Sequence, residues 1–297
     1  MRHDAIVIGG SFAGLSAATY IARATRSVAV IDAGAPRNRF AEASHGFLAQ
    51  DGNRPAAILD AARAQVAAYP KVTIVAGRAI QAARAGSGFS VTLQGGEVLE
   101  SERLVLAYGV SDDLPAIPGI AERWGKSVLH CPYCHGFEFA GQRLAVLATM
   151  PMSAHHAMLI AQWGPTTLLL NEAVTPEQHE LEELERRGVA VETARVEALE
   201  GEGTTLRGIR LVDGRTVAAD AMFLGPRVRM NSDIAQQLGC AMEEGPGGPI
   251  VRTDELKMTS VQGVFAAGDI ARGMHSVTFA CADGVMAGVA LHRSLVF

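Results

Sequence analysis

Two cysteines near the middle of the chain have the type and spacing of a reactive pair. Cys131 and Cys134 lie in the segment HCPYCHGFE, where His130 precedes the first cysteine and His135 follows the second. A Cys-x-x-Cys pair at the start of a helix lowers the pKa of a thiol, which favours disulfide exchange and metal binding alike. The spacing is therefore compatible with a metal clamp, a structural staple or a redox-active disulfide.

Zinc binding is the main alternative to redox chemistry at this pair. A structural zinc site needs two further ligands at workable spacing. The sequence has no second Cys-x-x-Cys, and adjacent histidines cannot easily reach the same ion. Four cysteines in 297 residues are also too few for a disulfide scaffold, so a redox role without a metal is favoured. The other two cysteines, Cys240 and Cys281, are expected to be buried small hydrophobes.

A thiol/disulfide reaction also needs a base that ionises the attacking thiol. His135 directly follows Cys134, and an imidazole titrates near neutral pH. Pro132 and Tyr133, between the cysteines, fit a stiff turn that opens a helix. We therefore expect His135 to act as the base beside the cysteine pair.

The N-terminal segment has the pattern of a dinucleotide-binding turn. GGSFAG follows an apolar strand and precedes an amphipathic helix. Gly9 supplies the tight turn, Gly14 permits close packing of helix on strand, and Ser11 replaces the usual middle glycine with another small residue. The helix that begins at Phe12 would aim its amides at a pyrophosphate, and Asp32 ends the second strand, where an acid can bind ribose hydroxyls.

A second cofactor marker occurs late in the chain, in GVFAAGDIA. A predicted strand ends at Gly268 and Asp269, and a helix follows soon after. An aspartate there can hold a ribityl hydroxyl and a phosphate, and it can equally act as a helix cap.

The order of predicted elements is α/β, linker, α/β, linker and an α/β tail. Apart from the first βαβ unit and the last strand and helix, the apolar periodicity predicts helices near 55–68, 152–163 and 177–187 and strands near 72–75, 87–106 and 221–225. The segments DDLPAIPGI and EEGPGGP are interpreted as linkers.

Composition excludes several classes of partner. The net charge is −5, the pI is about 6.0 and aromatic residues make up 5% of the chain, which argues against nucleic-acid binding. No uninterrupted apolar run reaches about 18 residues, and the chain begins with a predicted strand rather than a leader. We expect a cytoplasmic protein that binds neither nucleic acid nor a membrane.

Taken together, VIGGSFAGLSAA, CPYCHG and GVFAAGDIA resemble the low-molecular-weight thioredoxin reductase family, in that order and over nearly the whole chain. The resemblance implies an α/β fold of two Rossmann-like three-layer domains in a homodimer. An FAD domain, residues 1–113 and 246–297, would be split by an inserted domain, residues 117–243, that carries the disulfide and a nicotinamide site. It implies that FAD is held by the following residues: Gly9, Gly10, Ser11, Gly14, Asp32, Gly268 and Asp269. It also brings His45 and His275 towards the flavin as candidates to line the substrate cleft.

The expected NADPH site departs from the family pattern. Larger residues stand roughly where glycine or alanine is expected, namely Ala148, Met150 and Ser153. Met150 would crowd a pyrophosphate, and Pro151 removes an amide donor. The segment LLLNEAVTPE lacks the basic cluster for a 2′-phosphate and contains Glu172 and Glu177 instead. Both halves of the NADPH site are therefore predicted to be lost.

The motif CPYCHG, with His135 after the second cysteine, is similar to that of thioredoxin-reductase-like FAD dithiol oxidases, including those that close disulfides in gliotoxin and holomycin. That resemblance implies a dithiol oxidase that uses O2 and needs no NADPH. It places Cys134 nearer the flavin and Cys131 nearer the substrate, which would be a small-molecule dithiol or a thioredoxin-like protein. Two alternatives remain open: a disulfide reductase supplied by ferredoxin, another flavoprotein or NAD(P)H, and a flavin-bearing redox sensor.

Overall fold

The computed structural model describes residues 2–297 and contains both of the predicted α/β patterns. The first part of the chain forms β1 (Arg2–Ile8), α1 (Phe12–Arg23), β2 (Val28–Asp32), α2 (Pro55–Ala67), β3 (Val72–Ala76), β4 (Ala79–Ala85), β5 (Gly88–Leu93), β6 (Val98–Leu106) and β7 (Val110–Asp113). The middle forms α3 (Ile120–Arg123), β8 (Val128–Leu129), α4 (Pro132–His135), β9 (Leu144–Leu147), α5 (Ser153–Ile160), β10 (Thr166–Leu169), α6 (Gln178–Arg186), β11 (Ala190–Glu192), β12 (Val196–Glu200), β13 (Gly208–Leu211), β14 (Thr216–Ala218) and β15 (Ala221–Leu224). The last part forms β16 (Arg227–Met230), α7 (Ile234–Gln237), β17 (Met242–Gly245), β18 (Gly248–Val251), β19 (Val264–Ala266) and α8 (Val277–Val296). Short 3₁₀ turns occupy Arg37–Phe40, Phe137–Phe139 and Asp269–Ala271.

The first compact unit is built on a seven-stranded sheet in the order β3-β2-β1-β6-β5-β4, with β19 also paired to β6. The strands β1, β2, β3, β6 and β19 pair in parallel, whereas β4, β5 and the start of β6 form an antiparallel meander. Helices α1 and α8 pack against one another along their small-residue faces. A side chain at Gly284 or Gly288 would collide with the backbone of α1, which explains why glycine stands at these α8 positions.

The second compact unit has three layers around a parallel five-stranded sheet, in the order β11-β10-β9-β15-β8. One face of this sheet, which includes Val146 and Phe223, packs against α5 and α6. The other face, which includes Leu147 and Met222, packs against the antiparallel sheet β12-β13-β14. The central strands β9 and β15 therefore bury both of their faces, as their continuous apolar sequences require, whereas the edge strand β11 is largely exposed.

The boundaries of the two units differ from the predicted domains. Within the described residues, the first unit comprises residues 2–39, 55–111 and 228–297, and the second comprises residues 40–54 and 112–227. Residues 228–243, predicted to belong to the insert, group with the first unit because Ile234, Ala235 and Cys240 lie in its core. The segment EEGPGGP is the turn of the hairpin β17–β18 and not a linker. The predicted class, two Rossmann-like α/β units of which the first is discontinuous, is confirmed.

Helix α8 is long and apolar enough to cross a membrane when only length and composition are considered. Asp283 interrupts its apolar sequence, and this carboxylate is almost fully buried against Lys257 at 2.8 Å and Arg272 at 3.2 Å. One such helix is weak evidence for a membrane span, because core helices pass the same test, and the small-residue face of α8 packs on α1.

Candidate active site

The two central cysteines form a disulfide at the start of α4. The Cα atoms of Cys131 and Cys134 lie 5.3 Å apart, within the range for such a bond. Cys131 is the N-cap residue of α4, and Pro132 occupies the first helical turn, where its missing N–H costs nothing. Since β8 ends at Leu129, the pair lies just beyond the carboxyl end of a strand in the parallel sheet. Both sulfur-bearing residues are half-buried, so a substrate thiol can approach.

Aromatic packing fixes the position of this short helix. The rings of Tyr133 and Trp163 meet edge to face with centroids 5.6 Å apart. A side chain at Gly136 would stand 2.9 Å from the indole of Trp163, so glycine is required for this contact. Tyr133 and Phe137 remain largely exposed, at 75% and 83%. The short helix therefore rests on Trp163, and two exposed aromatic side chains lie on it and just beyond its end.

Two histidines and a carboxylate lie together in the second unit. The rings of His45 and His135 are 6.2 Å apart and nearly perpendicular. His45 Nε2 lies 3.4 Å from Glu138 Oε1, and His45 Nδ1 lies 3.5 Å from Asp51 Oδ2. The structure thus brings His45 and His135, which are far apart in sequence, to one place beside the disulfide.

Burial is the main influence on the protonation of His135. It lowers the pKa of His135 below its ordinary value, Glu138 acts in the opposite direction, and His45 lowers it further. A lowered pKa leaves the ring neutral at physiological pH, which is the form that accepts a proton. The hydrogen bond to Gly46 N–H and the neighbouring His45 lower the pKa of Asp51, so that carboxylate is ionised.

An open cavity of about 390 Å³ lies beside this cluster. Its lining includes His45, His135 and Glu138 together with Lys126 and Arg207. The cavity therefore carries charged groups of both signs and includes the candidate base in its wall.

The N-terminal turn in the first unit is tightly packed around its glycines. Gly9 has φ +118°, and a Cβ there would collide with the carbonyl of Ala107. A Cβ at Gly14 would collide with the carbonyl of Gly9, so helix and strand lie as close as glycine allows. Ser11 is the N-cap residue of α1, but its hydroxyl makes no capping hydrogen bond. The amides at the start of α1 are therefore not capped by this side chain.

Asp32 lies directly against the same turn. A Cβ at Gly10 would stand 2.5 Å from Asp32 Cβ. Asp32 Oδ1 accepts a hydrogen bond from the Gly34 N–H at 3.0 Å, and Oδ2 accepts one from Arg63 Nη2 at 2.8 Å. The acid predicted to bind ribose is therefore in place at the end of β2.

The second cofactor marker forms a network with His275. Gly268 has φ +77°, and a Cβ there would be 2.9 Å from Ala13 Cβ in α1. Arg37 Nη1 donates to Asp269 Oδ2 at 3.1 Å and to His275 Nδ1 at 2.6 Å. His275 Nε2 lies 3.1 Å from the Arg272 carbonyl oxygen, so both ring nitrogens are engaged. These contacts suit a positioning role for His275 better than proton transfer.

The first unit therefore fits a flavin dinucleotide. Glycine at positions 9, 10 and 14 lets the turn pack tightly against Ala107, Asp32 and its own backbone, as a dinucleotide-type turn requires, and Asp32 and Asp269 supply carboxylates that can bind hydroxyls after β2 and β19. In addition, Asn38 Oδ1 is buried without a hydrogen-bond partner, as expected for an atom that completes its bonding with a ligand.

The corresponding turn in the second unit is closed by its own side chains. Ser153 is buried, and its Oγ accepts hydrogen bonds from Thr149 N–H at 3.1 Å and Met150 N–H at 3.3 Å. Thr149 Oγ1 donates to the Gly225 carbonyl at 2.7 Å, and a Cβ at Gly225 would be 3.2 Å from Met150 Cε. The amides that a pyrophosphate would need are therefore used within the protein.

The carboxyl end of β10 carries a feature that the sequence pattern missed. Glu172 lies 3.7 Å from Arg195, which comes from the loop before β12. The region thus contains a basic residue, although its charge is paired with Glu172. Glu177 is the N-cap of α6 and forms a capping box with Glu180, so it has a structural role in that helix.

Two other histidines lie behind the disulfide. His130 Nδ1 is 3.4 Å from the Leu224 carbonyl. Burial, followed by His130 and His155, lowers the pKa of His156 to about 4. Within residues 2–297, no group of three or more His, Cys, Asp or Glu side chains has metal-binding geometry. Of the remaining cysteines, Cys240 is buried as expected, whereas Cys281 is half-buried.

Sequence reasoning did not identify Glu138, Arg37 or Arg63. Glu138 lies three residues after His135, a helical spacing that could have been noticed. Arg37 and Arg63 had no local signal, since each contacts a partner that is distant in sequence.

A discontinuous α/β unit with a dinucleotide-type turn and a second α/β unit with an exchangeable disulfide define a flavin-dependent oxidoreductase that acts on sulfur groups. The chain belongs to the pyridine nucleotide-disulphide oxidoreductase family, whose profile matches residues 3–284. The resemblance to thioredoxin reductases is thereby confirmed.

Individual relatives cover almost the whole chain. The thioredoxin reductase tcpT of Claviceps purpurea (strain 20.1) is 34% identical over 299 residues, which is 96% of this chain and 92% of the relative. The crystal structure of an oxidoreductase from Agrobacterium tumefaciens is 45% identical, with a TM-score of 0.96 over 100% of this chain and 99% of that chain. The crystal structure of HlmI is 38% identical, with a TM-score of 0.93 over 99% of this chain and 92% of that chain.

Proposed function

We propose that this protein is an FAD-dependent dithiol oxidase that uses O2 and not NADPH. The observation that carries the proposal is the combination of an intact disulfide beside a neutral histidine with a nucleotide turn closed by Ser153. The substrate would be a small-molecule dithiol or the dithiol of a thioredoxin-like protein.

The cysteine pair carries the exchange chemistry. A substrate thiolate attacks Cys131 and breaks the Cys131–Cys134 bond, which gives a mixed disulfide and a Cys134 thiolate. The second substrate thiol then attacks the mixed disulfide and releases the substrate as a disulfide. The substrate has lost two electrons and two protons, and the protein pair has gained the two electrons as a dithiol.

His135 accepts the proton of the attacking thiol. The half-buried neutral ring is the acceptor, and Glu138 stabilises the imidazolium that forms. His45 lies between Glu138 and Asp51 and thereby connects Glu138 to the solvent-exposed carboxylate of Asp51. The adjoining cavity offers the substrate a route to His135.

FAD would be held in the first unit by Gly9, Gly10, Gly14, Asp32 and Asp269. When bound, it would supply two-electron redox chemistry, accepting the two electrons of a dithiol and delivering them with two protons to O2 as H2O2. The contribution of this chain is to expose amides at the start of α1 and carboxylates at the ends of β2 and β19. His275 holds Arg37 against Asp269 at this end of the site.

The nicotinamide-binding turn supports an oxidase over a reductase. Ser153 occupies the two amides, Met150 fills the space beside Gly225, and Pro151 has no amide to offer. Arg195 lies 3.7 Å from Glu172, so its charge is offset by that carboxylate and not left over for the 2′-phosphate of NADPH. A cytoplasmic location would keep the thiols of its substrate reduced before turnover.

An anaerobic reduction followed by an oxygen-uptake assay tests the proposal. Heat-released cofactor is expected to chromatograph as FAD. Dithiothreitol should bleach the flavin, whereas NADPH and NADH should do so slowly or not at all. In air, the protein should oxidise dithiothreitol and form H2O2. Cys131→Ser and Cys134→Ser should each abolish oxygen uptake, while Cys281→Ser, the control, should retain it.

Other results of these assays would indicate a function other than a dithiol oxidase. Reduction by NADPH at catalytic rates would restore the disulfide reductase. Bleaching by reduced ferredoxin with no oxygen uptake would indicate a ferredoxin-supplied reductase. A flavin that cycles once with its disulfide and never turns over would indicate a redox sensor. Oxygen uptake that persists without the cysteine pair would exclude the disulfide from the electron path.

A further inference from the structure

Arg63, on α2, contacts the carboxylate at the end of β2. Its Nη2 donates to Asp32 Oδ2 at 2.8 Å, and its Nη1 lies 3.4 Å from Asp60 Oδ1. The side chains of Arg63 and Asp32 are 29% and 17% exposed, so their pair is better shielded from solvent than that of Arg63 with Asp60, whose side chain is 74% exposed. Charge-assisted hydrogen bonds in such partly buried positions are stronger than those between neutral groups.

The contacts of Asp32 fix its carboxylate before any ligand arrives. Gly10 leaves room for the side chain against the N-terminal turn, the Gly34 N–H binds Oδ1, and Arg63 binds Oδ2. An ionised carboxylate has about four acceptor sites, so two bonds leave about two for other donors. A pair of ribose hydroxyls is the ligand group that needs two adjacent acceptors.

Charge provides a second reason for Arg63. A carboxylate beside a turn that binds a diphosphate repels that diphosphate, and the repulsion is significant at partly buried positions. The Arg63 guanidinium, 2.8 Å from Asp32, offsets the charge of that carboxylate. The pair therefore offers hydroxyl acceptors without a net negative charge.

We propose that Arg63 is a positioning residue for the adenosine diphosphate half of the cofactor and acts through Asp32. The proposal rests on the assignment of FAD as the cofactor of the first unit. It predicts that loss of Arg63 weakens the binding of ligands that contain adenosine. The binding of ligands that contain only the flavin half should not change.

Binding to the apoprotein tests this directly. Arg63→Ala should weaken binding of FAD and of ADP by about 10- to 100-fold, the effect of one charge-assisted hydrogen bond. Binding of FMN, which lacks adenosine, should change less than about twofold, within the scatter of a surface substitution. FAD and FMN are followed by flavin fluorescence and ADP by calorimetry.

Arg26→Ala is the matched control, because Arg26 pairs with Asp4 at 3.4 Å in the same unit with similar exposure. It should leave all three affinities unchanged. Arg63→Lys should recover part of the loss, since it keeps the charge without the planar fork. In an Asp32→Asn background, Arg63→Ala should cost clearly less than in the wild-type protein, as expected for residues that act together.

Two results would overturn the inference. One is unchanged or tighter binding of FAD and ADP to Arg63→Ala, which would mean that Arg63 is neutral or competes with the ribose. The other is an equal loss for FAD, ADP and FMN, which would indicate general damage to the unit. If the purified wild-type protein carries FAD, either of these results would contradict the role of Arg63 but not the proposed function. If the wild-type protein carries FMN instead, both the role of Arg63 and the proposed function would be wrong.

Discussion

The proton of a substrate thiol must leave before its sulfur can attack a disulfide, and His135 is placed to take it. Burial keeps the ring neutral, and Glu138 favours its charged form once the proton arrives. Because of these opposing influences, His135 is neutral near neutral pH and can accept a proton during the reaction.

His135→Ala should slow dithiol oxidation by about 10²- to 10⁴-fold, the usual contribution of a positioned acid or base. The loss should grow as the pH falls from about 9 to about 7, because a thiol with an ordinary pKa near 8.5 then needs more help to ionise. Steady-state oxygen uptake at several pH values measures the effect. The flavin content and the disulfide should be unchanged, and a wild-type rate in this variant would remove His135 from the mechanism.

The neighbours of His135 should shift its titration in opposite directions. Glu138→Gln removes a group that raises the pKa of His135, so the acid limb of the pH–rate profile should move to lower pH. His45→Gln removes a group that lowers that pKa, so the limb should move to higher pH. Glu182→Gln, an exposed change on α6, is the control. Shifts in the same direction would contradict the assignment of His135 as the titrating base.

At the scale of elements, helix α8 presents two different faces. One face packs on α1 through small residues, whereas Met286 and Val289 on the other are 40% and 37% exposed. Further along the same face, Arg293 is exposed, and the last two residues of the chain, Val296 and Phe297, are 53% and 98% exposed. We expect the apolar patch around Met286 and Val289 to be the contact surface of a homodimer.

A charge placed on this patch should separate the subunits. The double variant Met286→Glu and Val289→Glu is expected to sediment as a monomer with its flavin retained, because two carboxylates would be buried without partners at the interface. Val212→Glu, at an exposed position in the second unit, should leave the dimer intact. A wild-type monomer in sedimentation velocity, or a dimer in all three proteins, would rule out this interface.

Elements with a strong local pattern could be predicted from the sequence. The first βαβ unit, β15 and α8 have strong apolar patterns, and each is found where expected. The segment EEGPGGP was misread because proline and glycine mark a hairpin turn as readily as a linker. Only the fold reveals that His45 lies beside Glu138, because residues 40–54 join the second unit across a long separation in sequence.

The whole molecule consists of two units, and both tryptophans, Trp124 and Trp163, belong to the second. Tryptophan fluorescence therefore reports the unfolding of the unit that carries the disulfide. The same unit contains His156, whose pKa is lowered to about 4 chiefly by burial. The effect of acid on the stability of the second unit can therefore be measured separately by tryptophan fluorescence.

Acid should destabilise the second unit through His156. The unfolded chain binds a proton near pH 6.5, whereas the folded unit does so only near pH 4, so stability is full above pH 6.5 and falls between these values. The free energy of unfolding should drop by about 2 kcal/mol between about pH 7.5 and 5.0 from this group alone. Urea denaturation followed by tryptophan fluorescence should show a smaller drop in His156→Gln, and the exposed His179→Gln should behave as wild type. If the free energy of unfolding drops equally in His156→Gln and His179→Gln, acid acts on this unit through other groups. The pKa of His156 would then be similar in the folded and unfolded chains.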